Sequence, residues 1–248
     1  MTGRVVSSAE LLCFDLDGCL VDSDAAIADA LNHALAAIDL PLRSEAALRS
    51  SIGPPLVENL TRLMAEDGVD AAEGSGPDRL ARGVVAYRAR YAEVGYALTA
   101  PYPDIPAALD ALAGTPMVVV TAKPTTVAAE LVALVGLADR FAAVHGTPGG
   151  LVLEEKRVTL AGVLASRGVA PAAAVMIGDR EHDVRAGRAC GTGTVGVLWG
   201  AGTAAELTAA GAAVLAAVPG ELPAVLAGLA APGGAATGTS SGTDRPTI

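Results

Sequence analysis

The chain has 248 residues, 52% of them hydrophobic but only 3% aromatic, and a formal net charge of −10. That length holds one large domain, or a core of about 150 residues with a smaller companion. With 27 acidic residues against 17 basic ones and no basic tract to neutralise phosphates, a nucleic-acid polymer and an anionic membrane surface are set aside as partners.

The first residues, Met1 to Glu10, carry no apolar core of the kind a secretory signal needs. Glu10 to Asp15 is a short apolar run ending in a carboxylate, followed by Asp17-Gly18. It predicts a buried strand with a loop at its C-terminal end. Asp22, Ser23 and Asp24 offer N-caps for a helix with Ile27, Leu31, Leu35 and Ile38 on one face, stopped at Leu40-Pro41. From Ser44 to about Leu98 the pattern stays helical and contains no convincing strand, with breaks at Gly53-Pro54-Pro55 and from Glu73 to Pro77.

Beyond that point strands return. Pro116–Thr121, Phe141–Val144, Ala174–Asp179 and Thr194–Leu198 are read as strands, the last of these closing the set. Helices are expected between and after them at 104–113, 124–137, 155–168, 182–190 and 203–210. Continuous apolar strands alternating with helices predict a doubly wound α/β fold with a parallel sheet, interrupted by a helical insertion after the first strand. The boundaries are a core over 1–20 and 99–231, a helical unit over 21–98, and a disordered Gly/Ser/Thr-rich tail over 232–248. The apolar run Leu207–Val218 ends at Pro219-Gly220-Glu221 and is too short to span a bilayer. Three cysteines, Cys13, Cys19 and Cys190, lack metal-ligand spacing. A cytoplasmic protein in a reducing compartment is therefore expected.

Ligands of such sheets bind beyond the carboxyl ends of the strands, at a topological switch point. Three predicted strands end in Asp15, Thr121 and Asp179. Asp15 and Asp17 can face one cavity if the chain turns at Gly18. Close carboxylates then call for a cation, and Mg2+ suits oxygen ligands such as Asp15 and Asp179. Capping of neighbouring helices is the alternative. Asp183, four residues after Asp179, shares its face of a helix or serves as a first-turn acid. Thr121 offers a hydroxyl and an amide at an expected helix start, an anion seat. Lys156 stands in a charged run, Glu154 to Arg157, yet only two lysines occur in the chain, the other being Lys123. That scarcity marks both as places where a compact ammonium is needed, with a surface role the alternative for Lys123.

Taken in order, Asp15-Leu16-Asp17-Gly18, Thr121, Lys156 and Gly178-Asp179 with Asp183 resemble the four motifs of the haloacid dehalogenase (HAD) superfamily. The insertion resembles its type 1 helical cap on a Rossmann-like core. Ser51 to Leu56, Tyr87-Arg88, Thr121 to Pro124, His182-Asp183 and Gly196 to Gly200 resemble the phosphoglycolate phosphatase and 5′-nucleotidase-like branch. The likeness runs from about residue 10 to residue 225.

The resemblance implies a Mg2+-dependent phosphomonoesterase acting on a small phosphorylated metabolite, as a monomer or homodimer. Asp15 is then the nucleophile and Asp17 the general acid and base. Mg2+ is held by Asp15, the Asp17 carbonyl and Asp179, with Asp183 ordering its waters, while Thr121, Lys156 and amides near Gly18 hold phosphoryl oxygens. Cys19 stands where the family has Thr, and a packing role is expected of it. A sugar-phosphate mutase and a non-catalytic regulatory protein are the alternatives on the same fold. Dehalogenation and Schiff-base phosphonate cleavage are disfavoured, the first by Asp17 and the second by a cap without lysine.

Overall fold

The computed structural model describes residues 9–149 and 155–229, so the tail from 232 and most of the Met1–Glu10 segment lie outside the described residues. In chain order the first half contains β1 (Leu11–Phe14), β2 (Val21–Asp22), α1 (Asp24–Ala37), α2 (Glu45–Leu48), α3 (Leu56–Glu66), α4 (Gly76–Val94) and β3 (Ala100–Pro101). The second half contains α5 (Ile105–Ala111), β4 (Met117–Pro124), α6 (Thr125–Leu134), β5 (Ala143–Thr147) and α7 (Lys156–Arg167). There follow β6 (Ala174–Gly178), α8 (Glu181–Cys190), β7 (Gly193–Val197), α9 (Ala204–Ala210), β8 (Val214–Ala216) and α10 (Leu222–Gly228).

Six strands form one parallel sheet among the described residues, in the order β5-β4-β1-β6-β7-β8. β1 is central and every residue of it is buried, because helices cover both faces. Leu12 and Phe14 enter the apolar cluster shared with α5, α6 and α10, whereas Leu11 and Cys13 enter the one shared with α7 and α8. This is the two-residue alternation of a strand, invisible in a run where both faces are apolar. Burying a side chain such as Phe14 or Leu12 stabilises the fold by about 1.5–3 kcal/mol relative to exposure.

A third cluster is built only from the helical segment between residues 26 and 91, with Val127 and Ala201 packed against it. Ile27, Leu31, Leu35 and Ile38 of the α1 face are all buried there against Leu60, Leu63, Val84 and Tyr91. The chain leaves and re-enters the sheet domain through a two-stranded antiparallel ribbon, β2 with β3. Among the described residues, no helix is long and apolar enough to cross a membrane.

Four details depart from the sequence expectations. The sheet has a further strand, β8, inside the apolar run Leu207–Val218; α9 is capped by Gly211, whose φ of +89° turns the chain, and a three-residue edge strand, Val-Leu-Ala, is too short to show a period. β5 begins at Ala143 rather than Phe141, because Phe141 instead packs edge-to-face on Phe14 with ring centroids 5.9 Å apart. β4 runs on to Pro124, so Thr121 lies within a strand and not at a helix start; α6 begins only at Thr125. Ser23 occupies the N-cap of α1 without capping it through its side chain.

Candidate active site

β4, β1 and β6 are neighbours, so their C-terminal ends deliver Thr121, Asp15 and Asp179 to one place. The backbone N–H of Asp15 donates to the Ile177 carbonyl at 2.8 Å, extending the β1–β6 ladder to the carboxylate itself. Connections diverge on either side of β1, which makes this the switch point of the sheet. Gly18 turns the chain with φ of +82°, and a Cβ there would collide with the Asp179 carboxylate, 2.7 Å from its Cγ. Gly178 likewise leaves room for Asp183, whose Cβ would lie 2.5 Å from an added methyl group. Both glycines are set by close approach to a carboxylate.

Asp15, Asp179 and Asp183 are all buried, and their carboxylate oxygens lie within 4.8 Å of one another. Lys156, the first residue of α7, places its ammonium 2.7 Å from Asp15 Oδ1 and 2.5 Å from Asp183 Oδ1. Asp183 also accepts the backbone N–H of Arg180 at 3.0 Å, so it caps α8 while holding the lysine. Asp179 Oδ2 accepts the Ala201 N–H at 2.8 Å, but its Oδ1 is buried with no hydrogen-bond partner among the described residues.

Three buried carboxylates against one ammonium leave an excess of negative charge. Burial, then Asp183 and Asp17, push the Asp15 carboxyl up to about 7 against the pull of Lys156. Burial, followed by Asp183 and Asp15, likewise raises Asp179 well above the carboxylate range. Burial opposes the Lys156 charge, yet Asp15 and Asp183 outweigh it and keep the lysine protonated. An unpartnered buried oxygen amid repelling carboxylates is the donor set that a hard divalent cation satisfies.

Asp17 takes a different direction. Its Oδ1 accepts the Ser23 hydroxyl at 2.7 Å, and Lys123 Nζ lies 3.0 Å from each of its oxygens. Lys123 also donates to the Tyr91 hydroxyl at 3.2 Å and stands 4.4 Å from the centre of that ring. The lysine therefore joins the end of β4 to helix α4 across the mouth of the site. Ser23 and Tyr91 are the two residues that sequence reasoning missed. Tyr91 follows Tyr87 by four positions, on one helix face, which is the signal that was available.

The remaining expectations sort clearly. Gly18 N–H donates to the Val21 carbonyl at 2.9 Å and Cys19 N–H to that of Leu16 at 3.4 Å, so these two amides serve the turn rather than an anion. Cys19 is buried, its thiol facing the Ile177 carbonyl at 3.7 Å, and burial together with Asp15 and Asp179 pushes it far from ionising. Trp199 Nε1 donates to the Cys19 carbonyl at 2.9 Å and pins the loop after β7 onto the first motif. Arg180 bridges Glu206, at 2.9 Å, to the Ile52 carbonyl of the helical unit, and Arg49 reaches the Gly200 carbonyl at 3.1 Å.

A cavity of about 450 Å³ opens between the strand ends and the helical unit, with Asp15, Asp17, Thr121 and Lys123 on its floor and Tyr87 and Tyr91 on its wall. The model of the haloacid dehalogenase-like hydrolase family matches residues 12–197, which contain every residue of this floor and of the carboxylate cluster.

The chain belongs to that family.

Among curated relatives of the chain, the tyrosine-protein kinase PtkA of Mycobacterium tuberculosis is 33% identical over 199 residues, covering 79% of this chain and 65% of its own. The chain thus spans just under two thirds of that relative. A phosphoglycolate phosphatase of Pectobacterium atrosepticum is 32% identical over 189 residues, covering 76% of this chain and 80% of its own. The crystal structure of a predicted phosphatase from Clostridium acetobutylicum superposes with a TM-score of 0.79 at 28% identity, over 89% of this chain and 99% of that one.

Proposed function

We propose that this chain is a Mg2+-dependent phosphomonoesterase that hydrolyses a small organic phosphate through an aspartyl-phosphate on Asp15. The observation that carries the proposal is the buried cluster Asp15–Asp179–Asp183, with an unpartnered oxygen and one lysine, whose Asp15 also lies on the floor of a cavity of substrate size. The names of the phosphoglycolate phosphatase and the Clostridium phosphatase support it.

Asp15, the Asp17 carbonyl and Asp179 would hold the ion, with Asp183 beside it. When bound, Mg2+ neutralises the carboxylate cluster and the phosphoryl oxygens. The Asp15 carboxylate attacks phosphorus, the ester P–O bond breaks, and Asp17 gives its proton to the departing alkoxide. Asp17, ionised by that transfer, then takes a proton from the water that attacks phosphorus and frees Asp15 as phosphate leaves. Thr121 and Lys156 donate to the phosphoryl oxygens, where fixed donors stabilise the charge that develops. Residues 21–98 act as a cap whose docking through Tyr91, Ile52 and Arg49 excludes bulk water.

Phosphate release from p-nitrophenyl phosphate tests the reading: turnover requires Mg2+ and disappears in Asp15→Asn. Wild-type turnover in that variant overturns the covalent route. The kinase name of the M. tuberculosis relative favours a second outlet for the same intermediate, in which an acceptor hydroxyl replaces water. Transfer of labelled phosphoryl to tyrosine-containing peptide, without release of inorganic phosphate, would identify it.

A further inference from the structure

Only one end of the cavity serves phosphoryl transfer. The rest is enclosed by Ile27 and Leu31 of α1, Pro54 and Val57, Val127 of α6 and the tyrosines of α4. Tyr87 and Tyr91 both border the cavity and lie nearly parallel, ring centroids 5.8 Å apart and 15° between planes, so that together they make this wall aromatic. Burial keeps the Tyr87 hydroxyl a neutral phenol.

This wall has little with which to hold a second anion. Lys123, the lysine that lines the cavity, is engaged by both oxygens of Asp17 and by Tyr91. Farther out, Arg88 and Glu130 both border the cavity, both are exposed, and their charges oppose each other. The volume of about 450 Å³ falls within the roughly 300–1,000 Å³ typical of pockets for drug-sized ligands. A two-carbon leaving group would leave most of that space to water.

We infer that the leaving alcohol carries a flat, uncharged ring that seats against Tyr87 and Tyr91, so that the preferred substrate is the phosphate ester of a ring-bearing alcohol and not of a short hydroxy acid. The inference rests on the phosphomonoesterase reading and specifies its substrate class. Apolar area removed from water supplies the preference, and the neutral wall supplies no compensating grip on a carboxylate.

The test compares kcat/KM, in Mg2+, for benzyl phosphate, ethyl phosphate and 2-phosphoglycolate, with p-nitrophenyl phosphate as reference. Benzyl and ethyl alcohols are of similar acidity, so their ratio reads binding of the ring and not ease of departure. The expected result is a preference for benzyl phosphate of tenfold or more over both others, about 1.4 kcal/mol or more in transition-state binding. Tyr87→Phe keeps the ring and the preference, whereas Tyr87→Ala brings the benzyl-to-ethyl ratio close to one. Tyr87→Leu, which preserves more of the packing, does the same if the alanine variant does not fold. Turnover of the reference ester with ethyl phosphate or phosphoglycolate equal to or better than benzyl phosphate overturns the inference and leaves the phosphomonoesterase reading standing. No turnover of any of the four esters overturns both.

Discussion

Replacing Lys123 with methionine keeps the length and apolar stem of the side chain and removes one charge from the site. In the native protein that ammonium lies 3.0 Å from each oxygen of Asp17, with both side chains about one-tenth exposed, and is tied to Tyr91 at 3.2 Å. The variant leaves Asp17 with the Ser23 hydroxyl as its side-chain partner. A hydrogen bond to a charged group is worth about 1.5–3 kcal/mol when largely shielded from water. If that energy holds Asp17 against the leaving oxygen, its loss lowers the ester-cleavage step by roughly 10- to 150-fold.

The assay is kcat/KM for two esters, because that ratio reports events up to cleavage of the ester and not hydrolysis of the intermediate. Ethoxide needs a proton to depart, whereas p-nitrophenolate leaves without one. Ethyl phosphate therefore shows the full loss, and p-nitrophenyl phosphate a loss several-fold smaller. Equal losses with both esters would mean that Lys123 merely supports the fold, and no loss with either would refute the positioning role altogether.

Three other consequences are open to direct measurement. Asp15→Asn abolishes turnover, with a fall of about a thousandfold or more, and no alkali- and hydroxylamine-labile phosphate is trapped on the protein after an acid quench. Stability without metal falls as pH rises: the folded-state pKa of Asp15, about 7 against an ordinary 3.8, stabilises the fold fully below about pH 4 and loses that stabilisation as pH climbs through 7, by up to about 4 kcal/mol. Mg2+ relieves the repulsion, so its upward shift of Tm should be larger at pH 8 than at pH 5; an equal shift at both would show that the cluster is not the binding site. Gly18→Ala combines a positive φ with a clash against Asp179, costing about 1–2 kcal/mol from the backbone alone and weakening Mg2+ binding in calorimetry. Unchanged Mg2+ affinity in that variant would separate Asp179 from the metal.

Local pattern carried much of the architecture. β1, β4, β6 and β7 are legible because parallel strands covered on both faces read as continuous apolar runs, and the polar residues Asp15, Thr121 and Asp179 that close three of those runs mark where a site belongs. The α1 face was legible from its helical period. The edge strand β8 was not: three residues in an alanine-rich stretch have no period to detect. Thr121 was placed at a helix start because a strand that bulges at its end and continues to Pro124 gives the same residue pattern as one that stops.

By itself the sequence determined which side chains could do phosphoryl chemistry and which strand ends would carry them, since composition and short-range order depend only on neighbours along the chain. Tertiary structure decided the pairing. Asp17 to Lys123, Lys123 to Tyr91, and the Asp179 oxygen left without a partner are set by segments far apart in sequence that meet only when the helices dock on the sheet. The aromatic side of the cavity was decided in the same way. A tyrosine pair at helical spacing becomes a binding surface only when the opposite wall is in place, because burial, and with it the strength of every polar and apolar contact, depends on what closes over the site.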